Sequence, residues 1–321
     1  MNTLTRRTVF GSAASLLAAP VIAQGTWPDR PIRLVVAFPA GSVTDTLMRH
    51  LAEPLTRELG QTVVIDNRPG GNGVVGTDSV ARSAPDGNTW VVLSVTNGAL
   101  VSYLLRRPPY DPIRDFAPIS LIAETAYILV VPPSSLAQDL RGFIAQARAA
   151  RTPMTFSHGN SSAHMASATL ARMAGIEMTA VPYRGGPEAL TDVIAGRIDS
   201  TFTDYAAGMP QIRDGKVRAL AVTLGRPFSL APDIPAVASV LPGYEFKFWF
   251  GLSVPAGTPA PIIGRANAAL RRVMALPEVA ERLARLGFTP LVSTPEEYRA
   301  FQEQQQHDMI ERAREVGIEQ S

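Results

Sequence analysis

Two serines, two histidines and an aspartate are the residues of this sequence that come nearest to hydrolytic chemistry. Ser161 and Ser162 lie between His158 and His164, and Asp204 ends a later strand-like run. A serine nucleophile needs a histidine base and an acid that orients it, so these residues define one alternative, a Ser/His hydrolase. The chain has no Gly-x-Ser-x-Gly elbow. Serine is also typical of helix N-caps, so the spacing favours capping over catalysis.

A second candidate is the segment FPAGSVTD at residues 38–45, which follows an apolar run and predicts a turn into a helix. Helix starts leave backbone N–H groups unpaired, and such groups bind anions. Gly41 stands alone and no Gly-Lys-Ser/Thr follows it, which excludes a P-loop and a dinucleotide fingerprint. Ser42 and Asp45 are spaced as a capping box, which favours a helix cap over ligand contact for Asp45. The backbone of residues 40–43 is left as a binding position for a carboxylate.

Three further strand-to-helix junctions carry hydrogen-bond donors. They are residues 157–164, the segment VPYRGGPE at residues 181–188, and the strand end FTDY at residues 202–205. Tyr183 and Tyr205 taken singly are typical half-buried aromatics. With the first junction, these segments describe a cleft that holds a small anion. No acid pair has glycosidase spacing and no His/Asp/Glu cluster has metal-ligand spacing, so we expect neither metal nor cofactor.

Alternating strands and helices position these junctions. Leucine recurs every four residues from Leu47 to Leu59, which makes one apolar face of a helix. Short β-branched or apolar runs predict strands over residues 32–38, 63–65, 89–94, 127–131, 154–157, 178–182, 200–203 and 219–223. This order predicts an α/β architecture with parallel sheets flanked by helices. In such sheets, ligands bind beyond the carboxyl ends of the strands.

The N-terminus has the three parts of an export signal. Arg6 and Arg7 precede a short apolar stretch, and small residues lead to a cleavage site after Ala23. The arginine pair is compatible with both Sec and twin-arginine (Tat) export. Removing residues 1–23 takes two of the 30 Lys+Arg and leaves 28 basic against 28 acidic residues. A neutral mature chain without blocks of like charge predicts neither a nucleic-acid nor a membrane surface.

The mature chain is large enough for two lobes. About 298 residues follow the signal, and domains usually hold about 100–200 residues. No cysteine is present, which excludes Cys-ligated metal and leaves stability to core burial. No further apolar run reaches the ~18 residues of a membrane span. We therefore expect a soluble protein outside the cytoplasm.

Ordered motifs along the mature chain carry a family resemblance. They are WPDRPI at residues 27–32, VVIDNRPGGN at 63–72, APDG at 84–87, YDP at 110–112, DFAP at 115–118, VPYRGGPEALTDVIAGRID at 181–199, DGKVRALAVT at 214–223, PDIP at 232–235, WFG at 249–251 and PAGTP at 255–259. Together they resemble the Bug family, the periplasmic substrate-binding proteins of tripartite tricarboxylate transporters (TctC-like). The similarity covers essentially the whole mature chain.

The resemblance implies a type II-like periplasmic binding protein with two lobes, each a mostly parallel sheet flanked by helices. Residues 24–125 and 225–321 form one lobe and residues 126–224 the other, with the ligand cleft between them. Family members hold one carboxylate on the loop after the first strand, and the second lobe faces the other end of the ligand. The candidate ligand-binding residues are Phe38, Pro39, Ala40, Gly41, Ser42, Thr44, Asp45, Thr96, Ser157, Gly159, Asn160, Ser161, Ser162, His164, Tyr183, Arg184, Gly185, Thr203 and Asp204.

The function implied by the resemblance is capture of a small carboxylate and its delivery to membrane permease subunits. A periplasmic monomer without cofactor is expected. Two alternatives stay open: a ligand sensor for a membrane receptor, and the exported Ser/His hydrolase. Ser42 stands where the family usually has a second glycine, and the loop at residues 159–162 is one residue shorter than usual. Both departures bear on which carboxylate is bound.

Overall fold

The computed structural model describes residues 27–318 and residue 320, so the predicted export signal lies outside the described residues. The strands and helices are, in chain order, β1 (Ile32–Val36), α1 (Val43–Leu59), β2 (Val63–Asn67), α2 (Val74–Ala81), β3 (Thr89–Ser94), α3 (Val101–Leu104), β4 (Phe116–Thr125), β5 (Tyr127–Val131), α4 (Leu140–Ala149), β6 (Met154–His158), α5 (Ser161–Ala174), β7 (Met178–Pro182), α6 (Gly186–Ile194), β8 (Ser200–Asp204), α7 (Tyr205–Arg213), β9 (Arg218–Val222), β10 (Phe248–Pro255), α8 (Ala260–Met274), α9 (Pro277–Arg285), β11 (Thr289–Pro290) and α10 (Pro295–Glu315). A π-helical turn, Thr96–Leu100, precedes α3, and a short 3-10 helix covers Val237–Ser239.

Two sheets organise the chain. Within the described residues, the first sheet has six strands in the order β11-β4-β10-β3-β1-β2, and the second has five in the order β7-β6-β8-β5-β9. Parallel pairing joins β1 to β2 and β3, and β6 to β7 and β8. The other pairings, those of β10 and β11 with their neighbours and of β5 with β8 and β9, are antiparallel. The two-lobed α/β architecture is confirmed, but the sheets are mixed and not mostly parallel.

The strands β4 and β10 are the long elements that the sequence pattern did not predict. They pair antiparallel from Phe248 opposite Thr125 to Pro255 opposite Phe116. All eight residues of β10 are buried. A strand buried on both faces lacks the alternation of apolar and polar residues that marks a half-exposed strand. These antiparallel strands also break the strand–helix alternation on which the parallel-sheet prediction depended.

Two adjacent crossings connect the sheets between residues 27 and 318. Ala126 alone joins β4 to β5, and residues 223–247 lead from β9 back to β10. Thr223 N–H donates to Tyr127 O (3.0 Å), and Phe246 N–H donates to Thr223 O (2.8 Å). These hydrogen bonds hold the crossings side by side, so the lobes share one narrow joint.

The apolar core divides unequally between the faces of the sheets. The larger cluster includes Leu34 and Trp90 in the first lobe and continues to Phe143 and Leu170 on one face of the second sheet. A smaller cluster around Val193 packs the other face of that sheet against α6 and α7. The predicted leucine face of α1 is buried throughout. Helices fixed in this way place the strand-to-helix turns at the carboxyl ends of the parallel strands.

Candidate functional site

A cavity of about 430 Å³ lies where carboxyl ends of strands from both sheets meet. The first lobe contributes residues 37–39 after β1 and residues 69–73 after β2, and the second contributes turns after β6 and β7. This volume falls within the roughly 300–1,000 Å³ of small-molecule sites. The predicted site residues that line this cavity are Phe38, Pro39, Gly159, Tyr183 and Arg184.

The turn between β1 and α1 is closed by its own side chains. Ser42 is the N-cap of α1, and its Oγ accepts a hydrogen bond from Asp45 N–H (3.3 Å). The Asp45 carboxylate accepts from Gly41 N–H (2.8 Å) across the turn. It also accepts from Arg49 Nε (2.8 Å) and from Asn67 Nδ2 (2.9 Å). Ser42 therefore caps α1 as predicted, but Asp45 accepts from Gly41 N–H and not from Ser42 N–H, so the reciprocal half of the predicted capping box is not formed.

These contacts occupy part of the predicted carboxylate position. Gly41 N–H is bonded to Asp45, and Ser42 N–H donates to Pro39 O (3.1 Å). Of residues 40–43, only Ala40 and Val43 have backbone N–H groups without a partner in the part of the chain that the structure describes. The prediction of an open four-residue position is wrong in this respect, because the Asp45 side chain reaches back over the turn.

The charge of Asp45 is fixed by the same contacts. Burial raises the pKa of this carboxyl, but hydrogen bonds from Arg49, Gly41 and Asn67 outweigh burial and lower the pKa below its usual value. The side chain is 2% exposed and is ionised at neutral pH. An ionised carboxylate stabilises the start of α1 and does not attract a second anion.

The loop before α2 is the part of the cavity that the sequence analysis did not single out. Residues 70–73 all have positive φ, at 142°, 54°, 55° and 86°. Glycine tolerates this region, and Asn72 belongs to the residue types that tolerate it best among the others. A Cβ on Gly73 would lie 3.1 Å from Phe38 Cζ, so the loop packs tightly on the first junction. The signal available was Gly-Gly-Asn-Gly, separated by four residues from the strand predicted at residues 63–65.

The two second-lobe turns that line the cavity meet through glycine. A Cβ on Gly159 would collide with the backbone of Gly185 and Gly186. Gly185 is the N-cap of α6 and supplies no capping side chain. A Cβ on Gly185 would lie 3.7 Å from Pro39 Cγ in the opposite lobe. Backbone therefore meets backbone here, which fixes the spacing of the two turns beside the cavity.

Arg184 is the one charged residue among the described residues that line the cavity. Its side chain is exposed and has neither an ion pair nor a hydrogen bond within residues 27–318. The nearby Tyr183 OH donates to Asp192 (2.6 Å), and Arg197 pairs with the same carboxylate (2.5 Å). Asp192 is thus paired with Tyr183 and Arg197, and the Arg184 guanidinium has no partner among the described residues.

A hydrogen bond between hydroxyl groups joins the two lobes. Thr96 Oγ1 in the π-helical turn after β3 lies 2.6 Å from Ser162 Oγ in the first turn of α5. Both residues are buried, and neither lines the cavity. Asn160, and neither Ser161 nor Ser162, is the N-cap of α5, since its Oδ1 accepts from Ala163 N–H (2.9 Å). The expected serine cap is therefore wrong.

Neither of the two histidines of this region lines the cavity. His158 and His164 stack with ring centroids 4.5 Å apart. Burial, aided by His164, lowers the pKa of His158 to about 4, and burial also lowers the pKa of His164. His164 lines a separate groove next to residues 316–318. The structure thus separates His164 from the other predicted ligand-binding residues.

The residues of the hydrolase alternative have other partners. Ser162 bonds Thr96, and no hydrogen bond joins either serine to a histidine within the described residues. Asp204 is the N-cap of α7, and its Oδ1 accepts from Ala207 N–H (3.0 Å). Burial raises the pKa of Asp204, although its backbone hydrogen bonds oppose this change. The arrangement contains no nucleophile–base–acid sequence of contacts.

The remaining predicted residues support the junctions from within. Ser157 Oγ donates to Ala189 O (3.1 Å), which fixes β6 against α6. Thr44 in α1 and Thr203 in β8 are buried outside the cavity lining, as is Ser161 at the start of α5. These side chains therefore pack beside the site and do not line the cavity.

Two further kinds of feature, a metal site and a membrane-spanning helix, are absent from the described residues. No group of three or more His, Cys, Asp or Glu side chains is placed to hold a metal ion. No helix within that same part of the chain combines the length and the apolar character needed to cross a bilayer.

Two lobes on separate sheets, with a cavity of small-molecule size between them, define a two-lobed solute-binding protein. The sequence matches the profile of the tripartite tricarboxylate transporter family receptor (TctC) over residues 47–316. The chain belongs to this family. It is therefore a solute-binding receptor of a transport system, and the resemblance to the Bug family is confirmed.

Two relatives show how far the similarity extends. A UPF0065 protein from the tcbD-tcbE intergenic region of Pseudomonas sp. (strain P51) is 35% identical over 91% of this chain and 88% of its own. BugT of Bordetella pertussis is 34% identical over 90% of each chain. The similarity covers nearly the full length of both relatives.

Three solved structures share the fold. Rpa4515 of R. palustris with adipate is 30% identical, with a TM-score of 0.88 over 92% of this chain and 100% of that chain. The periplasmic binding protein BugD is 28% identical, with a TM-score of 0.86 over 92% and 100%. MatC of Rhodopseudomonas palustris with bound malate is also 28% identical, with a TM-score of 0.83 over 89% and 99%.

Proposed function

We propose that this protein captures a small carboxylate between its lobes and delivers it to a tripartite tricarboxylate-type membrane permease. The observation that carries the proposal is the free guanidinium of Arg184 at the 430 Å³ cavity. A guanidinium presents N–H donors in a fork that fits a carboxylate. The solved relatives with adipate and malate support a carboxylate as the ligand class.

The donors of both lobes act together in this proposal. Arg184 supplies the charge from the second lobe, and the first lobe supplies the amide groups of the loop at residues 70–73. A ligand that contacts both lobes favours the closed state over the open one. The hydrogen bond between Thr96 and Ser162 stabilises that closed state further.

We assign the lobes to residues 24–125 with 225–321 and to residues 126–224. The sheet membership supports this division, because β1–β4, β10 and β11 share one sheet and β5–β9 share the other. The paired crossings support a hinge at Ala126 and residues 223–247. Closure then requires rotation about a joint that contains few residues.

The proposal places the mature protein in the periplasm as a monomer without cofactor. Export by the N-terminal signal, with cleavage after Ala23, follows from the sequence pattern around Arg6 and Arg7. Both Sec and twin-arginine export fit that pattern. The periplasmic description of BugD supports the location.

A thermal-shift screen tests the proposal. The mature protein is unfolded, freed of bound ligand, refolded and then heated with mono-, di- and tricarboxylates, neutral sugars and divalent cations. We expect at least one carboxylate to raise Tm in a concentration-dependent manner, because a ligand that binds only the folded state stabilises it. Stabilisation by sugars or cations, with none by any carboxylate, would contradict carboxylate capture.

A further inference from the structure

The first-lobe wall of the cavity carries one polar side chain, that of Asn72. The other described first-lobe residues of the lining are alanine, phenylalanine, proline and glycine. On the second-lobe wall, Tyr183 OH already donates to Asp192 (2.6 Å), whereas the Arg184 guanidinium has no partner within residues 27–318. Each lobe therefore contributes one polar side chain that can bind a ligand, Arg184 from the second lobe and Asn72 from the first.

The backbone conformation of Asn72 sets it apart from the rest of the chain. With a φ of 55°, it is the one residue other than glycine that has a positive φ within residues 27–318. Glycine adopts this conformation at no steric cost, and asparagine adopts it where its side chain hydrogen-bonds to nearby backbone. The Asn72 amide makes no such bond in the described part of the chain. An unusual backbone conformation without a local partner, placed at a cavity, points to a role in binding.

The loop around Asn72 adds backbone donors at the same wall. The N–H groups of Gly70, Gly71 and Asn72 have no partner among the described residues. Those of Gly73 and Val74 donate to Gly70 O and Gly71 O, each over 3.1 Å. A primary amide both donates and accepts hydrogen bonds, so the Asn72 side chain suits a carboxylate or a hydroxyl group. The first-lobe wall can therefore bind a polar group of the ligand without supplying a charge.

From these observations we infer that Asn72 is a specificity-determining residue of the carboxylate site. One carboxylate of the ligand pairs with Arg184, and the Asn72 amide hydrogen-bonds a second polar group, a carboxylate or a hydroxyl, at the other end of the molecule. An acid with an apolar far end leaves this amide unpaired in the closed site and binds less tightly. This inference rests on the proposed carboxylate capture and adds the residue that selects the far end of the ligand.

Asn72→Asp tests the inference by changing the charge at nearly constant shape. Aspartate tolerates a positive φ as asparagine does, and its carboxylate repels a second carboxylate but attracts an ammonium group. The probes are adipate with 6-aminohexanoate and succinate with 4-aminobutyrate, titrated calorimetrically into the refolded, ligand-free mature protein. Within each pair, we expect the affinity of the dicarboxylate relative to that of the amino acid to fall about tenfold or more in Asn72→Asp.

Gln138→Glu is the matched control for the added charge. Gln138 is exposed and does not line the cavity, so its substitution adds the same charge away from the ligand. The affinity ratio of each probe pair should stay within about twofold of the wild-type ratio in this control, because solvent and salt screen distant charges. A wild-type ratio in Asn72→Asp, or an equal fall in Gln138→Glu, would overturn the inference.

Asn72→Gly separates the amide from the conformation of the loop. Glycine adopts a positive φ readily, so the variant loses the side chain and keeps the backbone. We expect adipate and succinate to bind about fivefold more weakly, the usual scale for loss of one hydrogen bond, and Tm of the ligand-free protein not to fall. Wild-type affinity for both dicarboxylates in Asn72→Gly would overturn the inference.

The failures of the two proposals are distinguishable. If another carboxylate of the thermal-shift screen raises Tm while none of the four probes binds, the role of Asn72 is overturned and carboxylate capture stands. The same holds if the probes bind to the Asn72 variants as they bind to wild type. If sugars or cations raise Tm and no carboxylate does, carboxylate capture is overturned and the inference with it.

Discussion

The turn after β1 and the turn after β7 are both strand-to-helix junctions at the carboxyl ends of parallel strands, yet they use their donors differently. In the first, Ser42 caps α1 and Asp45 binds the Gly41 N–H and the Arg49 guanidinium. In the second, Gly185 supplies no capping side chain to α6, and Arg184 has no partner in the described part of the chain. The first junction pairs the Gly41 and Ser42 N–H groups within its own turn, and the second leaves its guanidinium unpaired among the described residues.

Strand–turn–helix geometry alone does not make an anion site. Helix N-termini attract anions because their N–H groups are unpaired. An acid in the first helical turn removes that attraction by occupying the donors itself, as Asp45 does. The side chains of a few residues therefore decide whether the donors of such a junction are paired within the turn or stay available to a ligand.

The largest expected effect comes from substitution of Gly159, where the two second-lobe turns beside the cavity meet. A Cβ at this position collides with the backbone of Gly185 and Gly186, so Gly159→Ala must push the two turns apart. We expect a loss of about 3 kcal/mol in the free energy of unfolding, measured by urea denaturation. Gly186→Ala is the control, because a Cβ there meets nothing within 4 Å. A Gly159→Ala variant as stable as Gly186→Ala would show that the close approach is absent in solution.

The next largest effect is expected from removal of Asp45, whose side chain binds donors in the turn between β1 and α1. Asp45→Ala removes the acceptor of Gly41, Arg49 and Asn67, and we expect a cost of about 2–3 kcal/mol at neutral pH. Asp78→Ala removes only an exposed i,i+4 pair with Arg82 and should cost about 0.5 kcal/mol or less. Urea denaturation of both variants provides the comparison. Equal costs would contradict the special role of Asp45.

The same variant has a defined pH dependence. The pKa of Asp45 is lowered in the folded protein, so its contribution is fully present above the usual value of 3.8 and is lost as pH falls through the lower folded pKa. The difference between wild type and Asp45→Ala should therefore shrink below about pH 4. A difference that stays constant to pH 2 would argue against an ionised Asp45.

A smaller effect concerns the histidines behind the second-lobe junction. The folded protein holds His158 neutral down to about pH 4, against a usual pKa of 6.5, so the unfolded chain binds more protons between these values. The full shift corresponds to roughly 3 kcal/mol, and because His158 is only half-buried we expect stability to fall by about 2 kcal/mol as pH decreases through this window. His158→Phe keeps a ring in the stack and should flatten this dependence. An unchanged profile in that variant would assign the pH dependence to other groups.

The smallest expected effect concerns the hydrogen bond between the two lobes. Thr96→Val, Ser162→Ala and the double variant form a cycle around the hydrogen bond that joins the lobes. We expect a coupling energy of about 0.5–1 kcal/mol, the usual net value of a neutral hydrogen bond, in the binding free energy of a carboxylate. Coupling indistinguishable from zero would mean that the two hydroxyls do not meet in the bound state.

Short-range sequence patterns predicted the buried face and the N-cap of one helix, α1. The leucines from Leu47 to Leu59 gave α1 its buried face, and the Ser42–Asp45 spacing gave its cap. In the structure, Thr294 likewise caps α10, in a capping box with Glu297. These features depend on residues a few positions apart, and such spacing is visible in a sequence.

Features that depend on distant parts of the chain were not visible. The pairing of β4 with β10 joins segments more than a hundred residues apart, and neither strand shows alternation. Asn160 displaced the expected serine cap because it accepts from both Ala163 and Tyr127. The isolation of Arg184 is a property of its neighbours in space, so its sequence position among aromatic and glycine residues did not reveal it.

The central claim is that one carboxylate is held by loops of both lobes at once. Hydrogen–deuterium exchange tests it most directly, with and without the carboxylate that gives the largest thermal shift. We expect ligand-induced protection in residues 37–43 and 69–73 of the first lobe together with residues 157–162 and 183–186 of the second. Protection confined to one lobe, or centred on the groove beside His164, would contradict it.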